Sequence, residues 1–284
     1  MQQPFIPLSP DLSIDVQKMA SLGSSVQESY RSAQPFPYIK IDDFLPEELL
    51  EGVLSDLRAL PRSEASFDRS QERLKSSYPP NELPQHTRNL FWFMNSRPFL
   101  AFLENMTGIK GLIPDPYYLG GGIHEVKSGG HLDIHADFNH LAKLNLERRL
   151  NLLVYLNRDW QPEYGGQFEI WDKEMKHRVK DFDPLFNRCV VFNTSSDSFH
   201  GNPNTVQHPQ NKSRFSMALY YYTATWDGTR REHTTQFKVR PGSKDAQDWE
   251  VRVSEALADV TPPVLYRLGK KVINRSRRLL GSAQ

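Results

Sequence analysis

The pattern of apolar and polar residues divides the chain into a helical N-terminal part and a strand-rich remainder. Residues 1–34 are polar with weak helical periodicity, and we interpret them as an N-terminal extension that carries a packed helix. The segment PYIKIDDFL then alternates apolar and polar residues as a strand does. It is followed by PEELLEGVLSDLRAL, in which leucines recur at helical spacing behind a proline and two glutamates, a combination typical of a helix N-terminus.

The strand-rich part begins near Tyr117, beyond a short predicted helix over 98–108 that ends at a glycine. Its β-rich runs are GGGIHEV, HLDIHAD, RLNLLVYLN, GGQFEIW, CVVFN and RFSMALYYYT. Many short strands separated by glycines and polar turns predict a sandwich or barrel. Residues 61–88 are charged and rich in turn formers, and we interpret them as a mobile loop.

The last part of the chain returns to a helical pattern after about residue 243. The stretch PPVLYRLGKKVINRSRRLLGSAQ contains six basic residues and no acidic one, so it could contact an anionic membrane surface. A solvated helix face is the simpler interpretation. We therefore expect three parts: an extension over 1–34, a main domain over 35–242 with supporting helices at its N-terminal side, and a basic helical tail over 243–284.

Composition narrows the choice of partners and compartment. The 284 residues include 35 basic and 34 acidic side chains, a net charge of +1, so no global field favours nucleic acid. Cys189 is the single cysteine, which excludes an intrachain disulfide and is compatible with a cytoplasmic location. The N-terminus lacks the basic and apolar regions of a signal peptide, and no apolar run has the length of a membrane-spanning helix.

The segment HLDIHAD, residues 131–137, contains two His-x-Asp pairs. Alternate residues of a strand point to one side, so His131, Asp133, His135 and Asp137 are expected to share a face. Two imidazoles and one carboxylate on a metal leave three positions open, the arrangement of non-haem Fe(II) oxygenases. By the residues alone, either pair can supply the histidine and the carboxylate.

Two later residues complete a possible site. His200 follows an apolar strand in SFHG, and Arg214 lies fourteen residues further on in RFSMALYYY. A basic side chain on a neighbouring strand can bind the distal carboxylate of a co-substrate through two hydrogen bonds. Lys212, in a polar turn, is the alternative cation for this role.

The ordered set of motifs over residues 115–225 resembles the 2-oxoglutarate- and Fe(II)-dependent oxygenases, in particular their prolyl-4-hydroxylase-like branch. The set is His-x-Asp, YLN-x-DW, GG, a phenylalanine-ended strand, HG and Arg-x-Ser. The resemblance implies a mainly β, α+β fold: a double-stranded β-helix, or jelly roll of the cupin type, supported by helices. It also implies Fe(II) as metal, with 2-oxoglutarate and O₂ as co-substrates.

The same resemblance assigns roles to particular residues. The iron-binding aspartate of the family lies where the chain leaves a strand, which favours His135 and Asp137 over His131 and Asp133, and His200 matches the distal histidine. Arg214 resembles the 2-oxoglutarate anchor. Further residues are expected to contact the co-substrate: Ser216, Tyr155, Asn151 and His124, the last near a position where relatives often carry a tyrosine.

The implied reaction is hydroxylation of an unactivated C–H bond with release of succinate and CO₂. The substrate is expected to be a prolyl residue in a protein, an amino acid or a biosynthetic intermediate, and no nucleic-acid partner is expected. Two other classes compete with this prediction. One is a jelly-roll binding module without catalysis, and the other is a hydrolytic metal site, which has no need of a cation at Arg214.

Overall fold

The structure is a computed structural model that describes residues 3–60, 67–115, 117–243 and 245. Five α-helices lie in these ranges: α1 (Val16–Ser25), α2 (Gln27–Arg31), α3 (Glu47–Ala59), α4 (Gln85–Met94) and α5 (Arg97–Thr107). The Asp15 carboxylate caps α1 by accepting a hydrogen bond of 2.9 Å from the Lys18 amide. The predicted helices behind Pro46 and before Gly108 are confirmed, and Gly108 ends α5 with a left-handed φ of 78°.

Thirteen strands alternate with turns in the described residues, together with two short 3-10 helices at Pro80–Glu82 and Pro162–Tyr164. The strands are β1 (Tyr38–Ile41), β2 (Phe67–Arg69), β3 (Glu72–Tyr78), β4 (Ile113–Pro114), β5 (Gly122–Ala136), β6 (His140–Leu141), β7 (Leu146–Tyr155), β8 (Phe168–Trp171), β9 (Arg178–Phe182), β10 (Cys189–Asn193), β11 (His200–Asn202), β12 (Arg214–Thr223) and β13 (Gln236–Phe237).

These strands form a curled antiparallel sheet with two halves joined by β5. The larger half has the order β1-β10-β7-β12-β5, and the smaller half continues β5-β11-β8-β9. The first residues of β5 pair with β12, from Val126 opposite Arg214, whereas its last residues pair with β11, at His135 opposite His200. This arrangement confirms the predicted jelly-roll core with supporting helices.

Strand β5 differs from the sequence prediction, which divided it into GGGIHEV and HLDIHAD. The glycines between the two runs bend one continuous strand and do not end it. Gly129 has a φ of 89°, and a Cβ on Gly130 would lie 2.6 Å from the backbone oxygen of Arg73 in β3. Glycine is therefore required because β3 approaches β5 closely at the bend.

The predicted mobile loop over 61–88 is also different in the structure. Residues 61–66 lie outside the described ranges, but β2 and β3 form a hairpin whose second strand pairs with β5. Strand β3 reads ERLKSSY, a polar sequence without alternating hydrophobic residues. The apolar pattern fails here because the β2–β3 hairpin lies at the periphery of the sheet and β3 packs little apolar surface.

The main hydrophobic core lies between the helices and the outer face of the larger half-sheet. Buried residues of α1 and α5, such as Met19 and Phe102, pack in the same cluster as Leu152 of β7 and Leu219 of β12. A smaller cluster occupies the inside of the barrel, where Phe168, Phe192 and Tyr155 pack together. The helices thus support one face of the sheet and leave the barrel interior to polar site residues.

The chain divides into a compact unit from Met1 to Asp245 and a second unit from Ala246 to Gln284. The predicted basic tail falls almost entirely outside the described residues, and the three-part division remains a prediction. Each helix that the structure describes is too short or too polar to span a bilayer. Cys189 is buried in β10, as a small core residue.

Candidate metal centre

Three side chains converge where β5 and β11 pair. His200 of β11 lies directly opposite His135 of β5, and their ring centroids are 4.6 Å apart. Asp137 follows the last residue of β5, and its Oδ1 lies 3.6 Å from Nε2 of His135, while its Oδ2 lies 3.3 Å from Nε2 of His200. In the described part of the chain, these three residues are the one group whose potential metal-ligand atoms all lie within 4.8 Å of one another.

The hydrogen bonds of the two imidazoles fix which nitrogen can bind a metal. Nδ1 of His135 donates to the backbone oxygen of Asp133 at 2.9 Å, and Nδ1 of His200 donates to that of Ser198 at 2.8 Å. A carbonyl oxygen can only accept, so the proton of each neutral ring lies on Nδ1. Both Nε2 lone pairs therefore remain available and point toward the Asp137 carboxylate. Two neutral imidazoles and a carboxylate fit Fe(II).

Asp137 is held in its ionised form. Burial alone would raise the pKa of Asp137, but the Arg148 guanidinium outweighs burial and holds this pKa well below its usual value. Oδ2 of Asp137 accepts a hydrogen bond of 2.7 Å from Nδ2 of Asn151 and lies 3.1 Å from Nη2 of Arg148. The carboxylate is thus available as an anionic ligand at any physiological pH.

Arg148 is a site residue that the sequence analysis did not identify. Its side chain is buried on β7, with the guanidinium carbon 3.7 Å from the ring centroid of Tyr220 and 4.5 Å from that of Phe138. Tyr155 and Asn151 face the barrel interior, and if every second residue of β7 shared that face, Arg149 would also point inward. The structure instead turns Arg148 inward, because the pairing of β7 with β12 shifts register at Tyr221 and Tyr222.

A second polar cluster lies deeper between β7 and β12. The Arg214 side chain is buried, its Nε donates to the Gly166 backbone oxygen at 2.8 Å, and its guanidinium carbon lies 4.9 Å from the Tyr155 ring centroid. Gly166 has a φ of 70°, and a Cβ there would lie 2.9 Å from Cδ of Arg214. The Gly-Gly turn that the sequence shows at 165 and 166 is therefore what allows the chain to approach the arginine.

The Tyr155 hydroxyl is buried next to the Arg214 guanidinium and makes no well-aligned hydrogen bond with the described residues. Burial raises the pKa of Tyr155 to about 12, so the hydroxyl keeps its proton and can donate it. A buried hydroxyl without a well-aligned partner is unfavourable unless a ligand satisfies it. A neutral donor beside a buried cation suits an anionic ligand such as a carboxylate.

Comparisons with known proteins agree with this geometry. The family model described as the 2OG-Fe(II) oxygenase superfamily matches residues 121–222, which include the whole set from His124 to Tyr222. The chain thus contains a segment of the 2OG-Fe(II) oxygenase superfamily at residues 121–222. It is therefore an oxygenase that uses Fe(II) and 2-oxoglutarate. A search of curated proteins finds no significant match to the sequence.

Solved structures resemble the oxygenase in fold at low sequence identity. A prolyl 4-hydroxylase from Phytophthora capsici is 17% identical, with a TM-score of 0.50 over 78% of this chain and 70% of that one. HygX from Streptomyces hygroscopicus, solved with nickel and 2-oxoglutarate, is 13% identical, with a TM-score of 0.50 over 75% and 96%. A Pseudomonas putida prolyl-4-hydroxylase is 16% identical, with a TM-score of 0.49 over 71% and 99%.

Two further predicted residues lie on the same face of the oxygenase sheet as Arg214. Ser216 is buried on β12, opposite Tyr155 on one side and His124 on the other. Nε2 of His124 donates to the Gly120 backbone oxygen at 2.9 Å. Burial and nearby cations lower the pKa of His124 to about 3, so its imidazole is neutral. Contact of either residue with 2-oxoglutarate stays a prediction.

The alternative histidine–aspartate pair is not part of the cluster. Nε2 of His131 lies 3.4 Å from Oδ1 of Asp133 and 3.2 Å from the Ser70 backbone oxygen. Burial and the neighbouring Asp245 raise the pKa of Asp133 to about 7. The backbone of Asp133, by contrast, does take part in the site, because its oxygen accepts the Nδ1 proton of His135.

The alternative cation, Lys212, lies away from the barrel interior. It borders a groove of about 770 Å³ that is also lined by Glu125, Leu156 and Phe215. These three residues alternate along their strands with His124, Tyr155, Arg214 and Ser216, so the groove is on the opposite face of the sheet. The geometry favours Arg214 as the cation beside Tyr155.

Proposed function

We propose that this oxygenase hydroxylates an unactivated C–H bond, using 2-oxoglutarate and O₂ and releasing succinate and CO₂. His135, Asp137 and His200 are proposed to hold the iron, and Arg214 to bind the co-substrate. The observation that carries the proposal is the convergence of two Nε2 lone pairs on the ionised Asp137 carboxylate. When bound, Fe(II) supplies the redox chemistry that couples 2-oxoglutarate decarboxylation to C–H oxidation.

The protein residues have separable tasks in this reaction. Arg214 and the Tyr155 hydroxyl bind and orient the distal carboxylate of 2-oxoglutarate, since both are buried and the hydroxyl makes no well-aligned hydrogen bond with the described residues. Ser216 and His124 border the same space. The aromatic cluster of Phe168 and Phe192 lies against the His200 ring, at 5.7 and 4.5 Å between centroids, and shields the site from water.

The ligand set favours hydroxylation over two other chemistries. In the resembling family, halogenases have a small residue at the carboxylate position, whereas this chain has Asp137. A hydrolytic metal site needs no buried Arg214 beside a buried tyrosine hydroxyl, and a binding module without catalysis has no need of an intact metal-ligand set. The substrate is proposed to be a prolyl residue, an amino acid or a biosynthetic intermediate. One similar structure is a prolyl 4-hydroxylase, and HygX has also been solved with hygromycin B bound. The cytoplasmic location stays a prediction.

The two histidine–aspartate pairs provide the test of the metal site. Asp137→Ala removes the proposed anionic ligand, so Fe(II) content and 2-oxoglutarate turnover should fall together to background. Asp133→Ala is the matched control. It deletes a carboxylate four residues earlier in the chain but retains the Asp133 backbone oxygen, which is the atom that contacts His135. Its metal affinity should fall by no more than about 10- to 100-fold, the range typical of residues that only support a ligand.

The measurement is iron content after anaerobic purification, together with succinate release in the presence of 2-oxoglutarate. Iron loss in Asp133→Ala with retention in Asp137→Ala would assign the metal to the other pair. Full iron binding without any 2-oxoglutarate consumption in the unaltered protein, across a screen of peptides and amino acids, would contradict the oxygenase assignment.

A further inference from the structure

The two oxygens of Asp137 have different surroundings. Oδ2 already receives a hydrogen bond of 2.7 Å from Nδ2 of Asn151 and lies 3.1 Å from Nη2 of Arg148. Oδ1 lies 3.6 Å from Nε2 of His135, beyond hydrogen-bond distance. The carboxylate is therefore held through one oxygen, and the other remains available to a metal.

Asn151 and Arg148 also hold each other. Nε and Nη2 of Arg148 donate to Oδ1 of Asn151 at 3.0 and 2.7 Å. The side-chain oxygen of Asn151 thus accepts from Arg148, and its NH₂ group donates to Asp137. Its orientation follows from this pairing, since the reverse orientation would place the NH₂ group against a guanidinium and the oxygen against a carboxylate.

Packing fixes the arginine in turn. The guanidinium lies between the rings of Tyr220 and Phe138, and the side chain is 2% exposed. A buried carboxylate that lacks a partner is strongly unfavourable, and a buried cation with several fixed donors compensates for it. The three residues therefore form a rigid unit: Arg148 orients Asn151, and both restrain Oδ2 of Asp137.

We propose that Arg148 and Asn151 are positioning residues for the metal ligand Asp137. They bind Oδ2 and so present Oδ1 to the metal, with the carboxylate already oriented before the metal binds. This inference rests on the proposed metal site. The predicted contact of Asn151 with 2-oxoglutarate stays a prediction, because the amide nitrogen has two N–H donors and one of them binds Asp137.

The proposal predicts a specific separation of effects. Loss of the restraint should weaken metal binding and alter the coordination geometry, whereas the intrinsic affinity of the metal-loaded protein for 2-oxoglutarate should stay within about twofold, since Arg214 and Tyr155 are untouched. A direct contact of Asn151 with 2-oxoglutarate predicts the opposite pattern.

Co(II) is a suitable probe, because its visible absorption reports ligand geometry without any turnover. Asn151→Ala should raise the Co(II) dissociation constant about 10- to 100-fold and change the absorption spectrum. Arg148→Lys keeps the charge but cannot make the forked contact, so we expect a smaller loss of affinity with the same spectral change. The matched control is Arg149→Gln: its guanidinium contacts Thr223 and Glu147, and its Co(II) binding should be unchanged.

Thermal unfolding of the metal-free variants identifies any loss of binding that comes from misfolding. Arg148→Lys and Asn151→Ala both keep a positive charge beside Asp137, so at least one is expected to fold. Asn151→Ala with unaltered Co(II) affinity and spectrum would overturn the proposal, as would a loss confined to 2-oxoglutarate affinity. Asp137→Ala separates this failure from that of the metal site: if it also retains Co(II), the proposed ligand set itself is wrong.

Discussion

At the scale of single residues, we predict that Arg214 binds the co-substrate 2-oxoglutarate. Its buried guanidinium is fixed by the Gly166 carbonyl and lies beside the buried Tyr155 hydroxyl. Arg214→Ala should therefore weaken 2-oxoglutarate binding by about 2–5 kcal/mol, the range for a lost contact to a shielded charge, while metal affinity is retained. Calorimetric titration of the metal-free protein with Ni(II) measures the metal affinity, and titration of the Ni(II)-loaded protein with 2-oxoglutarate measures the co-substrate affinity.

Lys212→Ala is the control for this experiment, because Lys212 is two residues away and exposed on the opposite face of the sheet. It should bind 2-oxoglutarate as the unaltered protein does. The reverse result, with affinity lost in Lys212→Ala and kept in Arg214→Ala, would move the anchor to the lysine.

His124 predicts a pH dependence of stability. Its pKa falls from 6.5 in the unfolded chain to about 3 in the fold, mainly because it is buried. As the pH falls below 6.5, the unfolded state takes up this proton before the folded state does, so the fold loses stability down to about pH 3. His124 alone contributes a slope of at most about 1.4 kcal/mol per pH unit.

His124→Gln should flatten the dependence of the unfolding free energy on pH between 6.5 and 4, measured by urea denaturation. Glutamine does not titrate and can still donate to the Gly120 carbonyl. Equal slopes in His124→Gln and the unaltered protein would mean that folding does not lower the pKa of His124, and would contradict this prediction.

At the scale of elements, the ordered motifs predicted which strands meet. His135 and Asp137 come from one segment and His200 from another, and the register of β5 against β11 brings them together as the sequence order suggests. A chemical requirement for particular residue types at strand ends leaves a local signal in the sequence, so this part of the site could be predicted.

Irregular strand pairing, in contrast, leaves no local signal in the sequence. The register shift between β7 and β12 decides that Arg148 and not Arg149 faces the barrel, and two adjacent arginines give no local cue to it. The bend in β5 and the hairpin of β2 and β3 were missed for a related reason. Their positions depend on neighbouring backbones, through a close approach at Gly130 and edge pairing with β5.

At the scale of the whole molecule, the described site lies within one compact unit. The metal ligands, Arg148, Asn151 and Arg214 all lie between residues 1 and 245, where the helices pack against one face of the sheet. The charge of the molecule is nearly balanced, at +1, although the tail after residue 262 is strongly basic. Activity and surface attraction to anions are thus expected to belong to different parts of the chain.

A chain shortened to end at residue 262 tests this division. It removes the basic stretch from Pro263 onward, which contributes no residue to the proposed site, so the unfolding temperature and the rate of succinate release should be close to those of the full chain. Binding to vesicles with anionic lipids, if the full chain shows it, should decrease, because each basic residue near such a surface contributes about 1 kcal/mol. Cosedimentation at low and high salt measures that part. A shortened chain that folds normally but no longer turns over 2-oxoglutarate would mean that the tail completes the active site, and the proposed site would then need a residue from beyond 262.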